Sequence, residues 1–560
     1  MKREQIFGVR QKVQNPAKVR KFLKELQEDL PRDARELEKR KRAFCAREKT
    51  EPILNRDLIA MIQKARAEQI EQSSVAPTEL ENLLRKRAVR TISGVSPIAI
   101  LTKPYPCPGK CVYCPTEARM PKSYMSNQPA AARALRNKFH PYDQVHNRIS
   151  ALQDSGHPVS KLEVIVMGGT WSFLPHNYQS WYLKRVYDAA NGMRAKNLSE
   201  AQKRNETVDK RIIGLTLETR PDFINERELI RMRRYGCTRI EIGVQTLDDE
   251  VQKLTKRGHD RRHVIRATKL MRDFGFKICY HLMPGLPGST PEKDLEWMKE
   301  IFENPDFRPD FVKIYPCVVL ETAELKSWWE KGEYQPLRDE ELIQLLLKFK
   351  AFVPPWARIM RLMRDIPVSN ILDGAKLSNL RQILKSQPKK LKELVGEEFV
   401  ENQKVQGWPC QCVRCREIGF ADLQKIDPEK DKPVLKRRDY EASDGTETFL
   451  SFETEDEKHL FALLRLRRPS GQKFSQFGSV LHDAALIREV HSYGSEISVG
   501  DVAGIGQHRG LGRKLIAEAE RIARDEWQMK RMTIIAGIGT REYYRKFDYE
   551  LRATYMTKKL

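Results

Sequence analysis

Cys107, Cys111 and Cys114 form a C-x3-C-x2-C run in the stretch Cys107-Pro-Gly-Lys-Cys111-Val-Tyr-Cys114. Three thiolates at that spacing can wrap one 4Fe–4S cluster and leave its fourth iron open. An open iron can hold a small chelating ligand, which a four-cysteine electron-transfer site cannot do. The plain alternatives are a zinc site or a disulfide loop. Zinc wants a fourth ligand near by, and the paired C-x2-C motifs of a zinc ribbon are missing here. A second trio, Cys410-Gln-Cys412-Val-Arg-Cys415, sits far downstream. Structural zinc is the expected metal there, with reduced, unmetallated thiols as the alternative. Three ligands are one short, and Cys317 or a distant His or Asp would supply the fourth.

A third motif lies nearer the C-terminus. Gln507-His508-Arg509-Gly510-Leu511-Gly512 precedes the amphipathic stretch Arg513-Lys-Leu-Ile-Ala-Glu-Ala-Glu-Arg-Ile-Ala-Arg. A glycine loop opening a helix presents backbone N–H groups to a pyrophosphate. Strand candidates flank it at Leu486–Tyr493, which contains Glu489, Val490, His491 and Ser492, and at Met532–Gly537. Tyr543 and Tyr544 follow, and ordinary packing is the alternative role for either.

The elements that must position these groups read as an α/β chain. Short apolar runs at Pro97–Leu101, Leu162–Met167, Ile212–Leu217, Arg239–Val244, Lys277–Leu282 and Phe311–Tyr315 alternate with helical stretches. Six such units predict a parallel sheet closing into an incomplete (β/α)6 barrel, whose chemistry sits on the loops after the strands. The first cysteine run follows the first strand. Met167, Gly168, Gly169 and Thr170 follow the second, and two adjacent glycines let backbone approach a ligand closely. Glu218 follows the third strand. Glu241 lies within the fourth, Gln245 ends it, and His281 belongs to the fifth.

The chain has 560 residues, 40% hydrophobic and 32% charged, with a net charge of +25. A field that strong favours a polyanion, with nucleic acid ahead of a merely solvated basic surface. Residues 1–90 read as basic helices and a nucleic-acid-binding region, 91–375 as the barrel, 376–437 as a zinc-binding linker and 438–560 as a second α/β unit. Six of the ten cysteines fall in the two trios, a metal pattern that implies a reducing, cytoplasmic setting. Cys45, Cys237, Cys279 and Cys317 are expected as core residues. No apolar run approaches membrane-spanning length, and the N-terminus lacks the apolar core of a signal peptide.

The barrel, the three-cysteine loop and the Met167–Thr170 glycine pair resemble the radical S-adenosylmethionine superfamily. That resemblance implies a 4Fe–4S cluster on Cys107, Cys111 and Cys114. S-adenosylmethionine would bind its open iron, cleave to a 5′-deoxyadenosyl radical and contact Met167–Thr170. Glu218, Glu241 and Gln245 are further candidate cofactor contacts. The Q-x-x-G-x-G loop, Gln507–Gly512, resembles that of the GNAT acetyltransferases, which hold coenzyme A there.

The fusion of the two resembles the family of Elongator catalytic subunits, over roughly residues 90–560. It also rests on Leu217-Glu-Thr-Arg-Pro-Asp222, Ile242-Gly-Val-Gln-Thr246 and Tyr543-Tyr544-Arg-Lys. The family implies an enzyme that carboxymethylates C5 of the tRNA wobble uridine, a tRNA uridine acetyltransferase or carboxymethyluridine synthase. Acetyl-CoA would be the carbon donor, and an electron donor would reduce the cluster. Lys161 matches an acetyl-CoA contact, Glu489–Ser492 the strand beside the pantetheine arm and Tyr543 a thioester-side contact. Tyr544 is the candidate to orient water. The short C-x3-C spacing suggests a bacterial or archaeal member acting on the anticodon stem-loop without accessory subunits, alone or as a homo-oligomer. The principal rival is a protein lysine N-acetyltransferase with an RNA-binding barrel.

Overall fold

The computed structural model describes residues 15–68, 79–86, 90–377, 379–384, 410–420, 432–494 and 510–560. Its first sheet contains β1 (Ser96–Leu101), β2 (Lys161–Met167), β3 (Arg211–Thr219), β4 (Arg239–Gln245), β5 (Lys277–Leu282) and β6 (Phe311–Ile314). After the short β7 (Val319–Leu320), a seventh parallel member, β8 (Arg358–Arg361), pairs with β6. The order β1-β2-β3-β4-β5-β6-β8 leaves β1 and β8 as edges, so the barrel is open on one side.

The six expected strands are present, and β8 extends the set. It was hidden because Arg358-Ile-Met-Arg361 has a charged residue at each end and follows Pro354-Pro355. β7 pairs with β9 (Ile371–Asp373) in a separate two-stranded ribbon.

Strand periodicity sorts the side chains. In β2, Leu162, Val164 and Val166 are buried on the core side, while Glu163, Ile165 and Met167 line an interior cavity. Helices Asn-capped or Asp-capped at Asn225 and Asp260 follow β3 and β4, covering the outer face. Near the N-terminus, Pro16–Glu28, Ala34–Arg47 and Asn55–Glu68 are helical and share a small core of Phe22, Leu26, Leu37, Phe44 and Leu58. Arg85 ties this region to the barrel through the Gly156 carbonyl at 2.9 Å.

The C-terminal sheet runs β10 (Val434–Ala442), β11 (Gly445–Glu453), β12 (Leu460–Arg468), β13 (Ala484–Ser492), β14 (Arg531–Ile534), β16 (Tyr555–Lys559), β15 (Glu550–Arg552). It is antiparallel except for β13 and β14, which run parallel. Their register ends at Ile487↔Ile534, so Arg488–Ser492 continue past β14. The helix Leu511–Arg521 follows Gly510 in the expected strand–helix–strand order.

Leu486, Ile535, Ile538 and Tyr555 pack into the barrel's own core, and the Tyr555 hydroxyl donates to the Phe274 carbonyl at 2.9 Å. Cys237, Cys279 and Cys317 are buried as expected. Cys45 is only half-buried, because it sits at the end of a surface helix opposite Glu51. Among the described residues, no helix is long and apolar enough to cross a membrane.

Candidate functional site

A cavity of about 780 Å³ runs from the cysteine loop, through the barrel, to the C-terminal sheet. Cys107, Cys111 and Cys114 line one part of it, and Glu489, Val490, His491 and Tyr544 line another. The loop after β1 carries the cysteines because the chain leaves the strand at Leu101 with no helix until Pro129.

Unlike Cys410, Cys412 and Cys415, these three sulfurs do not all lie within 4.8 Å of one another. Cys107 Sγ and Cys111 Sγ instead flank Gly109, 3.6 and 3.7 Å from where a Cβ would stand. Gly109 N–H donates to Cys107 Sγ at 3.4 Å, and the Arg257 guanidinium to Cys111 Sγ at 3.6 Å. Burial would raise the Cys111 thiol, but Arg257 outweighs it and holds the group below its ordinary value. Cys114 is pushed up to about 11 by burial and by Cys111, which outweigh the opposing pull of Arg364, Lys122 and Ser123. These donors and the cavity beside them fit a thiolate-bound cluster.

Met167, Gly169 and Thr170 line the same cavity, and Thr170 Oγ1 lies 3.9 Å from Cys107 Sγ. Gly168 adopts φ +131°, and a Cβ there would stand 2.1 Å from Thr102 Oγ1. Only glycine allows that turn beside the cysteine loop. Gln245 also lines the cavity, at a left-handed φ of 70°, with its buried Oε1 lacking a partner among the described residues.

Glu218 and Glu241 belong to a charged group inside the barrel. Lys313 pairs with Glu241 Oε2 and lies 4.0 Å from Glu218 Oε1. His281 Nε2 is 2.7 Å from Glu241 Oε2, and the Tyr124 hydroxyl donates to Glu218 at 2.8 Å. Burial opposes ionisation of Glu241, yet Lys313 and His281 hold it well below the usual carboxylate range. Arg257, Lys313 and Tyr124 escaped the sequence reading. A lysine inside the apolar strand Phe311-Val-Lys313-Ile was the one legible signal, because such a charge needs a buried partner.

At the other end, Gly512, Val490, Ser492 and Tyr543 converge. A Cβ on Gly512 would stand 2.8 Å from the Tyr543 hydroxyl and 3.9 Å from both Ser492 Oγ and Val490 Cγ1. Tyr544 is buried and faces the cavity, whereas Tyr543 packs against Phe547 and Tyr544. Lys161 opens β2 on the face that Glu163 and Ile165 continue into the cavity, without lining it. Gly510 and Leu511 start the helix, while Gln507, His508 and Arg509 lie outside the described residues.

Cys410, Cys412 and Cys415 bring their sulfurs within 4.8 Å of one another. Their short helix is fixed between barrel and C-terminal sheet. Val413 N–H donates to Ala357 O at 2.9 Å, and Arg416 reaches Glu453 at 2.6 Å. Cys317 does not join them, which corrects its listing among the possible fourth ligands. It packs with Val318, Val319 and Leu320 in a separate cluster, because β7 turns that segment towards the Ile371–Asp373 ribbon.

A parallel half-barrel with three cysteines on the loop after its first strand defines a radical S-adenosylmethionine enzyme. The Radical SAM superfamily model matches residues 105–301, and the Radical_SAM C-terminal domain model residues 309–390. The chain is 45% identical over 488 residues to the tRNA uridine(34) acetyltransferase of Methanocaldococcus jannaschii, covering 85% of this chain and 87% of that protein. It is 39% identical over 492 residues to human Elongator complex protein 3, covering 85% and 86%. A solved structure of Methanocaldococcus infernus Elp3 lacking residues 1–46 superposes with a TM-score of 0.70 at 42% identity, covering 84% of this chain and all of that one. The chain belongs to the family of tRNA uridine(34) acetyltransferases and Elongator complex protein 3.

Proposed function

We propose that this enzyme forms 5-carboxymethyluridine at the wobble uridine of tRNA, taking the two-carbon unit from acetyl-CoA. The observation that carries the reading is the single cavity shared by Cys107, Cys111 and Cys114 at one end and Glu489, Val490, His491 and Tyr544 at the other. The acetyl methyl group is unactivated towards polar attack on a base, so the radical source and the thioester need one enclosed space.

Cys107, Cys111 and Cys114 would hold the cluster, and Met167–Thr170 with Gln245 the S-adenosylmethionine. When bound and reduced by an external donor, that pair supplies a radical able to take hydrogen from the acetyl methyl group. Arg257 donates to Cys111 Sγ at 3.6 Å and so favours the thiolate, the form that ligates. Lys313 and His281 both meet Glu241 Oε2 on the barrel floor, so this buried carboxylate carries its counter-charge within the cavity. Val490, Ser492, Gly512 and Tyr543 would hold the pantetheine arm and the pyrophosphate end of coenzyme A. Tyr544, facing the cavity, would orient the water that releases coenzyme A. The Cys410 trio would bind zinc and brace the junction. The basic N-terminal helices would bind the tRNA body.

Mass spectrometry of nucleosides tests this. The protein, reconstituted without oxygen, receives tRNA, S-adenosylmethionine, acetyl-CoA and a reductant, beside a Cys111→Ala variant. Carboxymethyluridine formed only by the unsubstituted chain is the expected result. Acetylated protein lysine without any new nucleoside would move the acetyltransferase alternative ahead.

A further inference from the structure

At the open side of the barrel the cavity wall carries Arg90, Arg133 and Arg148. Arg133 lies on the helix Pro129–Arg136 that follows the cysteine loop, and Arg148 on Pro141–Gln153. Both helices pack on the edge strand β1. Across the opening, the β8 edge contributes Arg361, Arg364 and Asp365.

The three guanidinium groups stand close enough to repel one another, and all three are half-buried. Among the described residues none of them makes an ion pair or a side-chain hydrogen bond. Arg148 Nε is fully buried without a partner. Asp365 offsets Arg133 only from beyond ion-pair distance, and it is already paired with Arg361. Burial first, then Arg133 and Arg90, push Arg148 down to about 10. Three wholly buried arginines among the described residues each have a carboxylate, Arg488 from Asp310, Arg467 from Asp273 and Arg465 from Glu489, and buried Arg233 is met by the Cys237, Ala536 and Thr554 carbonyls. A half-buried cluster of like charges without counter-charge is unfavourable unless an anion completes it.

We infer that Arg90, Arg133 and Arg148 form a phosphate seat, which holds a backbone phosphodiester of the RNA strand entering the open side of the barrel. This rests on the tRNA reading above. Guanidinium forks match phosphate oxygens in pairs, which lysines cannot do. The phosphates of coenzyme A share the chemistry, but their candidate seat is at Gly510–Gly512 on the C-terminal helix. The arginines instead border the opening on the cysteine side, where a nucleotide must pass to reach the cavity.

The test is fluorescence anisotropy of a labelled anticodon stem-loop RNA titrated with the full chain at several KCl concentrations. Calorimetry of coenzyme A with the same proteins separates the two phosphate sources. The double variant R133Q/R148Q is expected to bind RNA roughly tenfold weaker per guanidinium removed. Its salt slope should fall by about 0.7, the single-strand value for the one phosphate the seat holds. Coenzyme A affinity and thermal melting should match the parent. R133K/R148K, which keeps charge and loses the fork, should keep the slope while binding several-fold weaker. Parental RNA affinity and slope in R133Q/R148Q would overturn the seat. So would a loss confined to coenzyme A, which would reassign the arginines to that ligand. If the unsubstituted chain does not bind the stem-loop, the tRNA reading itself fails, and the seat falls with it.

Discussion

Arg488 of β13 forms a two-pronged ion pair with Asp310, the residue before β6, at 2.5 and 2.9 Å, and both side chains are wholly buried. The same guanidinium reaches Glu447 of β11 at 2.8 Å. One arginine therefore joins the barrel to two strands of the C-terminal sheet. Removing it would leave Asp310 with Arg465 at 3.5 Å and Glu447 with Arg467 and Arg272 at 3.3 Å, all longer pairs, so the loss should lie at or below the about 3–5 kcal/mol of a fully broken buried pair. Arg488→Leu should lower the unfolding midpoint in urea, and it should expose the barrel–sheet interface to hydrogen exchange before either core opens.

That interface should also be acid-sensitive. Burial opposes ionisation of Glu489, yet Lys277 and Arg465 hold it down to about 2. Asp310 and Glu447 likewise lie below the usual carboxylate range, because Arg488 and its neighbours outweigh their burial. An unfolded chain would bind protons at these sites near pH 4. Their contribution is thus complete above about pH 4.5 and is lost as the pH falls towards 2. Tryptophan fluorescence and hydrogen exchange followed from pH 6 to pH 2 should show the interface loosening in that window. In Arg488→Leu the dependence should flatten.

Much of this was legible in the sequence, for particular reasons. The cysteine run, the Met167–Thr170 turn and the strand pattern are local signals, written in spacing and periodicity. β8 was not legible, since four residues with charged ends carry no strand signature until β6 lies beside them. Arg257 was invisible in a chain with 101 lysines and arginines, because only the fold brings it to Cys111. The uncompensated state of Arg90, Arg133 and Arg148 is likewise a property of the assembled cavity wall. Cys317 is the core residue expected, and only its place among possible fourth ligands fails, because the segment that carries it turns to a ribbon partner, Ile371–Asp373, that is distant in sequence.

Gly512 offers a sharper probe of the coenzyme site than either tyrosine. A methyl group there would press on the Tyr543 hydroxyl, 2.8 Å from the Cβ position. Gly512→Ala should weaken acetyl-CoA binding about tenfold, in line with roughly 1–3 kcal/mol for overpacking. Removing the hydroxyl in G512A/Y543F should recover part of that loss. Calorimetry with acetyl-CoA reads both, and the iron content of the reconstituted protein should not change.

The Cys410 trio makes the last prediction. The three sulfurs lie within 4.8 Å of one another, within reach of a single ion, whereas those of the first trio do not all lie so close. Cys412 is held well below the usual thiol range by hydrogen bonds from Cys410 and Cys415, whereas Cys410 is pushed up. Without an ion the three thiols must share protons, and a cation would let all three ionise. About one zinc per chain is therefore expected by elemental analysis, with a fourth ligand beyond the three cysteines. Cys412→Ser should lose the zinc without changing the iron held by Cys107, Cys111 and Cys114. Because the segment also carries the Arg416–Glu453 pair at 2.6 Å, zinc loss should raise proteolytic nicking near this junction. A chain free of zinc that resists nicking as well as the loaded protein would show that the trio works as packed thiols alone.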